Sequence, residues 1–315
     1  MFFDPLFIFS IIGMSACLAI WMKGIIKKED QSSFILVNIS SIATVLGLLM
    51  LVSIFINAGD LGIILLIASV IAFIVMLIGY LLKSNEILVS SRGYFIPIFL
   101  IFVLRTFLYE PYQIPSGSMM PGLKVGDFLL VNKSSYGTKV NRIGDPFAFN
   151  NDPKYGDVVV FIPPHNPVPY VKRLIGMPGD KVRIINKQIF INSVAIKRDF
   201  YKTEEATITK RYRDSSGQIT IREKEVIIDL FYEEHGETKY VIRNIRGENS
   251  QYPSEWEIPP GHYFVMGDNR DNSNDSTKDV GFVPRENFFG KADYLFMTWE
   301  CWTCLPSFSR TGKIK

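Results

Sequence analysis

The chain has 315 residues, a net charge of +3 and three cysteines. That length allows two domains, while so small a charge, with no Lys/Arg-rich block, argues against a nucleic-acid partner. Cys301 and Cys304 form a single C-x-x-C, which cannot build a four-ligand zinc site alone.

Charge divides the chain. Up to Arg92 the only basic residues are Lys23, Lys27, Lys28, Lys83 and Arg92, whereas beyond Pro111 the sequence is dense in charge, turns and short β-like runs. Leu6–Met22 is an uncharged apolar run, and Phe34–Leu82 is a second, interrupted only at Asn57–Asp60. As one helix the second run would rise about 73 Å at 1.5 Å per residue, over twice a bilayer core of about 30 Å. It must fold back at the Asn57–Asp60 turn, giving spans Phe34–Ile56 and Leu61–Leu82. A fourth span, Ile87–Leu108, holds Arg92 and Arg105 near its ends, where long side chains can reach water. The basic loops Lys23–Ser33 and Lys83–Gly93 belong in the cytoplasm by the positive-inside rule, which places the N-terminus and everything after Pro111 outside. Met1–Pro5 has no basic n-region and carries Asp4, so the start does not read as a cleavable signal peptide. The spans read as an anchor in the lipid bilayer.

The soluble half reads as mostly β. Asp127–Asn132, Asp157–Ile162, Lys181–Ile196, Gln218–Ile228, Lys239–Ile245 and His262–Gly267 are rich in Val, Ile, Phe and Tyr and are punctuated by Pro, Gly and Ser turns. No stretch shows a long amphipathic helical period. The division expected is a membrane domain over 1–110, a catalytic β domain over 111–196 and 258–315, and an inserted β-hairpin region over 197–257, strongly charged and without a chemical motif.

Several chemistries find no motif. His165, His235 and His262 sit in no H-E-x-x-H, and there is neither a G-x-S-x-G elbow nor an S-x-x-K of the β-lactamase kind. The histidines read as ordinary surface or strand residues, and no metal or cofactor is expected. Three segments stand out: Pro115-Ser116-Gly117-Ser118-Met119-Met120-Pro121; Tyr170-Val171-Lys172-Arg173-Leu174-Ile175-Gly176-Met177-Pro178-Gly179-Asp180; and Gly267-Asp268-Asn269-Arg270-Asp271-Asn272-Ser273-Asn274-Asp275-Ser276. Taken singly they read as a linker, a turn after a strand, and a polar loop that fails the EF-hand pattern.

Together the three segments, in this order and just beyond a membrane span, resemble bacterial type I signal peptidases, the leader peptidase family. The likeness runs from about Leu104 to Pro284 and covers 197–257 poorly. It implies N-terminal transmembrane helices followed by a mostly antiparallel β catalytic domain with a second β domain inserted. It also implies Ser118 as nucleophile, Lys172 as general base, Ser116 as an oxyanion-hole hydroxyl beside the Ser118 N–H, and Ser273 as the residue orienting the lysine amine. Asp275 matches a structural carboxylate that pairs with arginine, for which Arg173 is the nearest candidate. Ile114, Met119, Leu123, Tyr170 and Val171 would line the substrate pockets, with Tyr112 near the entrance. Each of these has core packing as its alternative, for Leu123 with nearly equal weight. The substrates implied are preprotein signal peptides, the site the outer (periplasmic) side of the bacterial cytoplasmic (inner) membrane, and the state a monomer.

Physical chemistry agrees with those roles. A serine hydroxyl needs a positioned base, and lysine is a base only when neutral. A free amine near pKa 10.4 must therefore drop by roughly three units to work near neutrality. Burial does this by penalising the ammonium form, and Val171, Leu174, Ile175, Met177, Met119 and Met120 are apolar neighbours in sequence. The expectation is that no carboxylate sits close enough to Lys172 to restore its charge, Asp275 being engaged with Arg173. Oxyanion donors contribute about 3–4 kcal/mol each. Signal peptides end in small residues, and an extended substrate would add a strand to a sheet edge.

Two departures from the family pattern stand out. Thr277-Lys278-Asp279-Val280 intervenes before Gly281-Phe282-Val283-Pro284, so an arginine usual after the Asp-Ser is missing and Lys278 stands open as its substitute. Four spans also exceed the two common in Gram-negative members. Competing readings are a self-cleaving repressor, disfavoured by the spans, and a silent membrane scaffold, disfavoured by the presence of Ser116, Ser118, Lys172 and Ser273. The C-x-x-C reads as a structural disulfide or as two idle thiols.

Overall fold

The computed structural model describes residues 5–27, 34–56, 61–137, 151–213, 219–248, 255–301 and 303–315. The chain divides into two compact units, Met1–Thr106 and Phe107–Lys315.

The first unit is helical: α1 (Pro5–Ile26), α2 (Phe34–Ile56), α3 (Leu61–Leu81) and α4 (Asn85–Val103), the last continuing into a π-helical turn, Leu104–Leu108. These segments are mostly apolar, with few charges, and a helix pairs its interior backbone groups within itself, as hydrocarbon surroundings demand. Hydroxyls follow the same rule: Ser10, Ser69 and Ser91 donate to the carbonyls of Leu6, Leu65 and Ile87, four residues back, at 2.6–2.8 Å. Large apolar side chains such as Phe9, Ile12, Leu81 and Tyr94 point outward. Among the described residues, Pro5–Ile26, Ile64–Leu81 and Asn85–Leu108 are long and apolar enough to cross a membrane, and Ser41–Met50 is a shorter apolar stretch within α2. Four spans are expected from sequence; the turn Asn57–Asp60 between the second and third lies outside the described residues.

The second unit is built from antiparallel strands: β1 (Tyr109–Gln113), β2 (Asp127–Asn132), β3 (Val158–Phe161), β4 (Tyr170–Gly176), β5 (Lys181–Ile185), β6 (Gln188–Ile191), β7 (Val194–Ala195), β8 (Lys197–Arg213), β9 (Ile219–His235), β10 (Thr238–Ile245), β11 (Trp256–Glu257), β12 (His262–Met266), β13 (Val283–Pro284), β14 (Phe288–Thr298) and β15 (Gly312–Lys313). The main sheet runs β1-β2-β14-β3-β4-β12-β13, with β15 on β14; smaller sheets run β11-β5-β6-β7 and β10-β9-β8. The N-terminal helices and antiparallel β sheets match the fold class expected from sequence.

The Lys181–Ile196 run, read as one element, is three strands. It turns at Asn186-Lys187 and again at Asn192-Ser193, all four at positive φ between 47° and 70°, the conformation of tight hairpin turns. Strand β3 is buried on both faces, whereas β2 alternates buried and half-buried positions. One core cluster gathers Ile114, Met119, Leu123, Leu129, Val131, Val158, Val160, Phe289, Ala292 and Leu295 on one side of the main sheet. A second holds Tyr136, Val159, Phe161, Leu174, Val265 and Phe288. Residues 158 and 160 serve the first cluster and 159 and 161 the second, so β3 is the wall between them. Cys301 and Cys304 are joined in a disulfide, Cα atoms 5.2 Å apart.

Candidate active site

Strand β4 lies inside the main sheet, with Lys172 opposite Val159 of β3 and Arg173 opposite Met266 of β12. The Lys172 side chain therefore emerges where water is scarce, and the residue is only 4% exposed. Ser118 arrives from a different part of the sequence. Beyond β1 the chain stays tied to β2 through Ile114 N–H to Asp127 O at 2.8 Å, then makes the single 3-10 turn Gly117–Met119. That turn delivers Ser118 Oγ to 2.7 Å from Lys172 Nζ, which also donates to the Val171 carbonyl at 2.9 Å. Burial pushes the Lys172 ammonium down from its ordinary 10.5 to about 8, against the opposing pull of the Asp275 and then the Asp268 carboxylate. Ser116 Oγ is 3.4 Å from Ser118 Oγ, on the exposed side.

The polar loop after β12 braces this pair. Asn269 N–H donates to the Ser118 carbonyl at 3.0 Å and Asn269 Nδ2 to the Gly117 carbonyl at 2.8 Å. Gly267 is where the loop passes the turn: a Cβ there would lie 2.5 Å from the Ser118 carbonyl oxygen and closer still to Ser273 Oγ. Among the described residues, no group of three or more His, Cys, Asp or Glu side chains is placed to hold a metal ion.

The family described as "Signal peptidase, peptidase S26" matches residues 88–299. The chain belongs to that family. Signal peptidase I of Pseudomonas fluorescens is 41% identical over 249 residues, covering 74% of this chain and 82% of the relative. The Pseudomonas aeruginosa enzyme of the same name is 40% identical over 251 residues, covering 74% and 81%. A crystal structure of signal peptidase I from Enterococcus faecalis V583 shares 24% identity, with a TM-score of 0.26, over 45% of this chain and 97% of that one. The S26 signal peptidases are serine endopeptidases, and so is this chain; removing signal peptides is the work of the family.

Measured against the sequence reading, the structure brings Ser118, Lys172 and Ser116 together and corrects three expectations. Arg173 does not pair with Asp275. Its Nε and Nη2 each donate to the Asp268 carboxylate at 2.7 Å, and Nη1 donates to the Gly156 carbonyl at 2.7 Å. Burial works against the guanidinium charge and Asp268 more than restores it. The cause is register: Arg173 faces Met266, which puts Asp268 beside it, while Asp275 folds back to accept the Gly267 N–H at 3.0 Å and both the N–H and hydroxyl of Thr277. Asp275 and Asp268 are near enough to raise the Lys172 pKa, against the expectation that no carboxylate acts on it. Ser273 is buried beside Gly267, yet its Oγ makes no hydrogen bond among the described residues, to Lys172 or otherwise. Lys278 substitutes for no arginine at Asp275; its Nζ donates to the Ser273 carbonyl at 2.7 Å.

Of the expected pocket residues, Ile114, Met119 and Leu123 are 3%, 1% and 4% exposed, inside the first core cluster, with Tyr112 and Val171 packed at its edge. Tyr170 packs on the second cluster, its ring 5.4 Å from Lys172 Nζ. Asp268 and Asn269 lie in the third segment, where the sequence alone points to no role for either. The register of β4 against β12 singles out Asp268, and the bonds to the Gly117 and Ser118 carbonyls single out Asn269.

Proposed function

We propose that Ser118 is the nucleophile and Lys172 the general base of this signal peptidase. The observation that carries the reading is the 2.7 Å contact between Lys172 Nζ and Ser118 Oγ in a buried setting that holds the amine near pKa 8. With the amine neutral, Lys172 takes the Ser118 proton as Oγ attacks the scissile carbonyl, then returns it to the departing amine. The Ser118 N–H and the Ser116 hydroxyl face the oxyanion, at about 3–4 kcal/mol each. The substrate is a preprotein lying extended along the sheet, cut after small residues at −1 and −3. Tyr112 and Val171, which keep exposed surface, contact it, while Ile114, Met119 and Leu123 shape the pocket floor from below. Asp275 supports the site from the loop by holding the Gly267 N–H. The basic loops around Lys27 and Lys83 support an orientation with the peptidase unit outside the bacterial cytoplasmic membrane, and 197–257 reads as a β region inserted into a catalytic domain over 111–196 and 258–315.

The test is cleavage of a preprotein with Ala at −1 and −3 by purified wild type, Ser118→Ala and Lys172→Ala. Both variants should fold, by circular dichroism, and cleave at background. Near-normal turnover by either would overturn the assignment.

A further inference from the structure

Each residue of the loop Asp268–Asp271 is held by a contact from elsewhere in the fold. Asp268 grips Arg173 of β4, and its carbonyl accepts the N–H of Arg243 in β10 at 2.9 Å. Asn269 holds the Gly117–Ser118 turn. Arg270 points the opposite way and pairs through both terminal nitrogens with Glu233 of β9, Nη1 to Oε1 at 2.8 Å. Asp271 accepts from the Ile245 N–H at 2.7 Å and from Lys187 Nζ at 2.9 Å. The residues that hold the loop's far side therefore belong to the β8-β9-β10 sheet and the β5–β6 turn, in or beside the stretch where the sequence offers no chemical motif.

The Glu233–Arg270 pair is 0% and 4% exposed. Tyr240 Oη donates to the same carboxylate at 3.3 Å, and the Tyr240 ring lies 3.7 Å from the Arg173 guanidinium. Glu233 thus sits at the junction of two short paths. One runs through Arg270 to Asn269 and the Ser118 carbonyl. The other runs through Tyr240 to Arg173, next in sequence to Lys172. A buried ion pair is a poor source of stability, because desolvation offsets most of its attraction and apolar residues of similar volume often serve as well or better. What it does supply is a fixed orientation, and a displaced nucleophile of about 1 Å can cost on the order of 100-fold in rate.

We propose that Glu233 is a positioning residue for peptide cleavage: through Arg270 it locks the 268–271 loop, and through Asn269 it sets the Ser118 turn against Lys172. The proposal rests on Ser118 and Lys172 being nucleophile and base. The full chain in detergent micelles is compared as wild type, Glu233→Gln, the apolar pair Glu233→Met with Arg270→Met, and Ser118→Ala, measuring kcat and KM on a preprotein together with the melting temperature. The apolar pair should melt close to wild type yet lose at least about tenfold in kcat, with KM changed by less than about threefold. Glu233→Gln, which retains shape and one acceptor, should fall between the two. Wild-type kcat in the folded apolar pair would overturn the proposal, as would a change confined to KM. If neither Glu233 variant folds, the pair is a structural support and the proposal falls. If Ser118→Ala remains active, the nucleophile assignment fails first and removes the proposal with it; an inactive Ser118→Ala beside a fully active apolar pair defeats this inference alone.

Discussion

At the scale of single residues, the site turns on how much charge surrounds one amine. Lys172 is held near pKa 8 by burial, with Asp275 and Asp268 pulling the other way. Only the neutral amine accepts a proton, so kcat/KM of the free enzyme should fall as pH drops through about 8. The sign for Asp275→Asn follows: removing a carboxylate that raises the lysine pKa lowers it, so the acidic limb should move to lower pH while kcat drops from the loosened loop. A pH–rate profile of both proteins checks this, and an unmoved limb would mean that Asp275 does not act on Lys172. Gly267 gives a second prediction. A Cβ there meets the Ser118 carbonyl oxygen at 2.5 Å and Ser273 Oγ closer still, so Gly267→Ala must push the Gly117–Met119 turn away. It should lower kcat by roughly 100-fold or more with a smaller effect on the melting temperature. Ser118 and Lys172 stand out in the sequence as candidates because each lies in a short, specific motif. The partner of Arg173 was not, because it depends on which residue of β12 faces β4, and both Asp268 and Asp275 lie in the same segment.

Among the elements, turns and strands of mixed polarity were the hardest to read. The run Lys181–Ile196 hides two turns because Asn186-Lys187 and Asn192-Ser193 carry no glycine, although Asn readily adopts positive φ. β8 and β9 are 17 residues each, but their charged residues interrupt the apolar alternation that marks a half-buried strand, so only part of β9 was foreseen. β14 pairs with β2, β3 and β15 and escaped because Gly290, Lys291 and Asp293 break its pattern. The end of β9 carries His235, which lies against Tyr155, ring centroids 4.7 Å apart, and is 8% exposed. Burial and then the Arg270 charge push its pKa from 6.5 down to about 4. The unfolded chain therefore binds this proton first as pH falls. The stability tied to a neutral His235 is fully present above about pH 6.5 and drains away towards pH 4. Between pH 7 and pH 5 the loss should be about 2 kcal/mol. Melting of wild type and His235→Gln across that range measures it: the wild type should lose more, and equal losses would show that His235 titrates normally.

Across the whole molecule, the change from apolar to charged sequence near Pro111 and the division into units at Thr106 and Phe107 fall close together, because lipid and water select opposite compositions. The two-unit arrangement was therefore legible. What no composition reveals is that Glu233, far from every motif in sequence, reaches Arg270 in the loop after β12; that is a property of how the sheets pack. The orientation across the membrane rests on a separate physical rule. Lys23 lies in the last turn of α1 with Lys27 and Lys28 next in sequence, and Lys83 precedes α4, whose first half carries Arg92. Basic loops stay on the cytoplasmic side, so the α3–α4 connection should face the cytoplasm and the peptidase unit, one crossing later, the outside. Two exposed positions report on the two sides: Asn85 at the start of α4 and Glu286 between β13 and β14. Cys301 and Cys304 are joined to each other and Cys17 is buried in α1, so the background reactivity is low. In spheroplasts expressing single-cysteine additions, a membrane-impermeant thiol reagent should label Glu286→Cys at once. It should label Asn85→Cys only after the membrane is opened with detergent. Labelling of Asn85→Cys in sealed spheroplasts, with Glu286→Cys protected, would invert the topology and place the Ser118–Lys172 pair on the wrong side for substrates emerging from the cell.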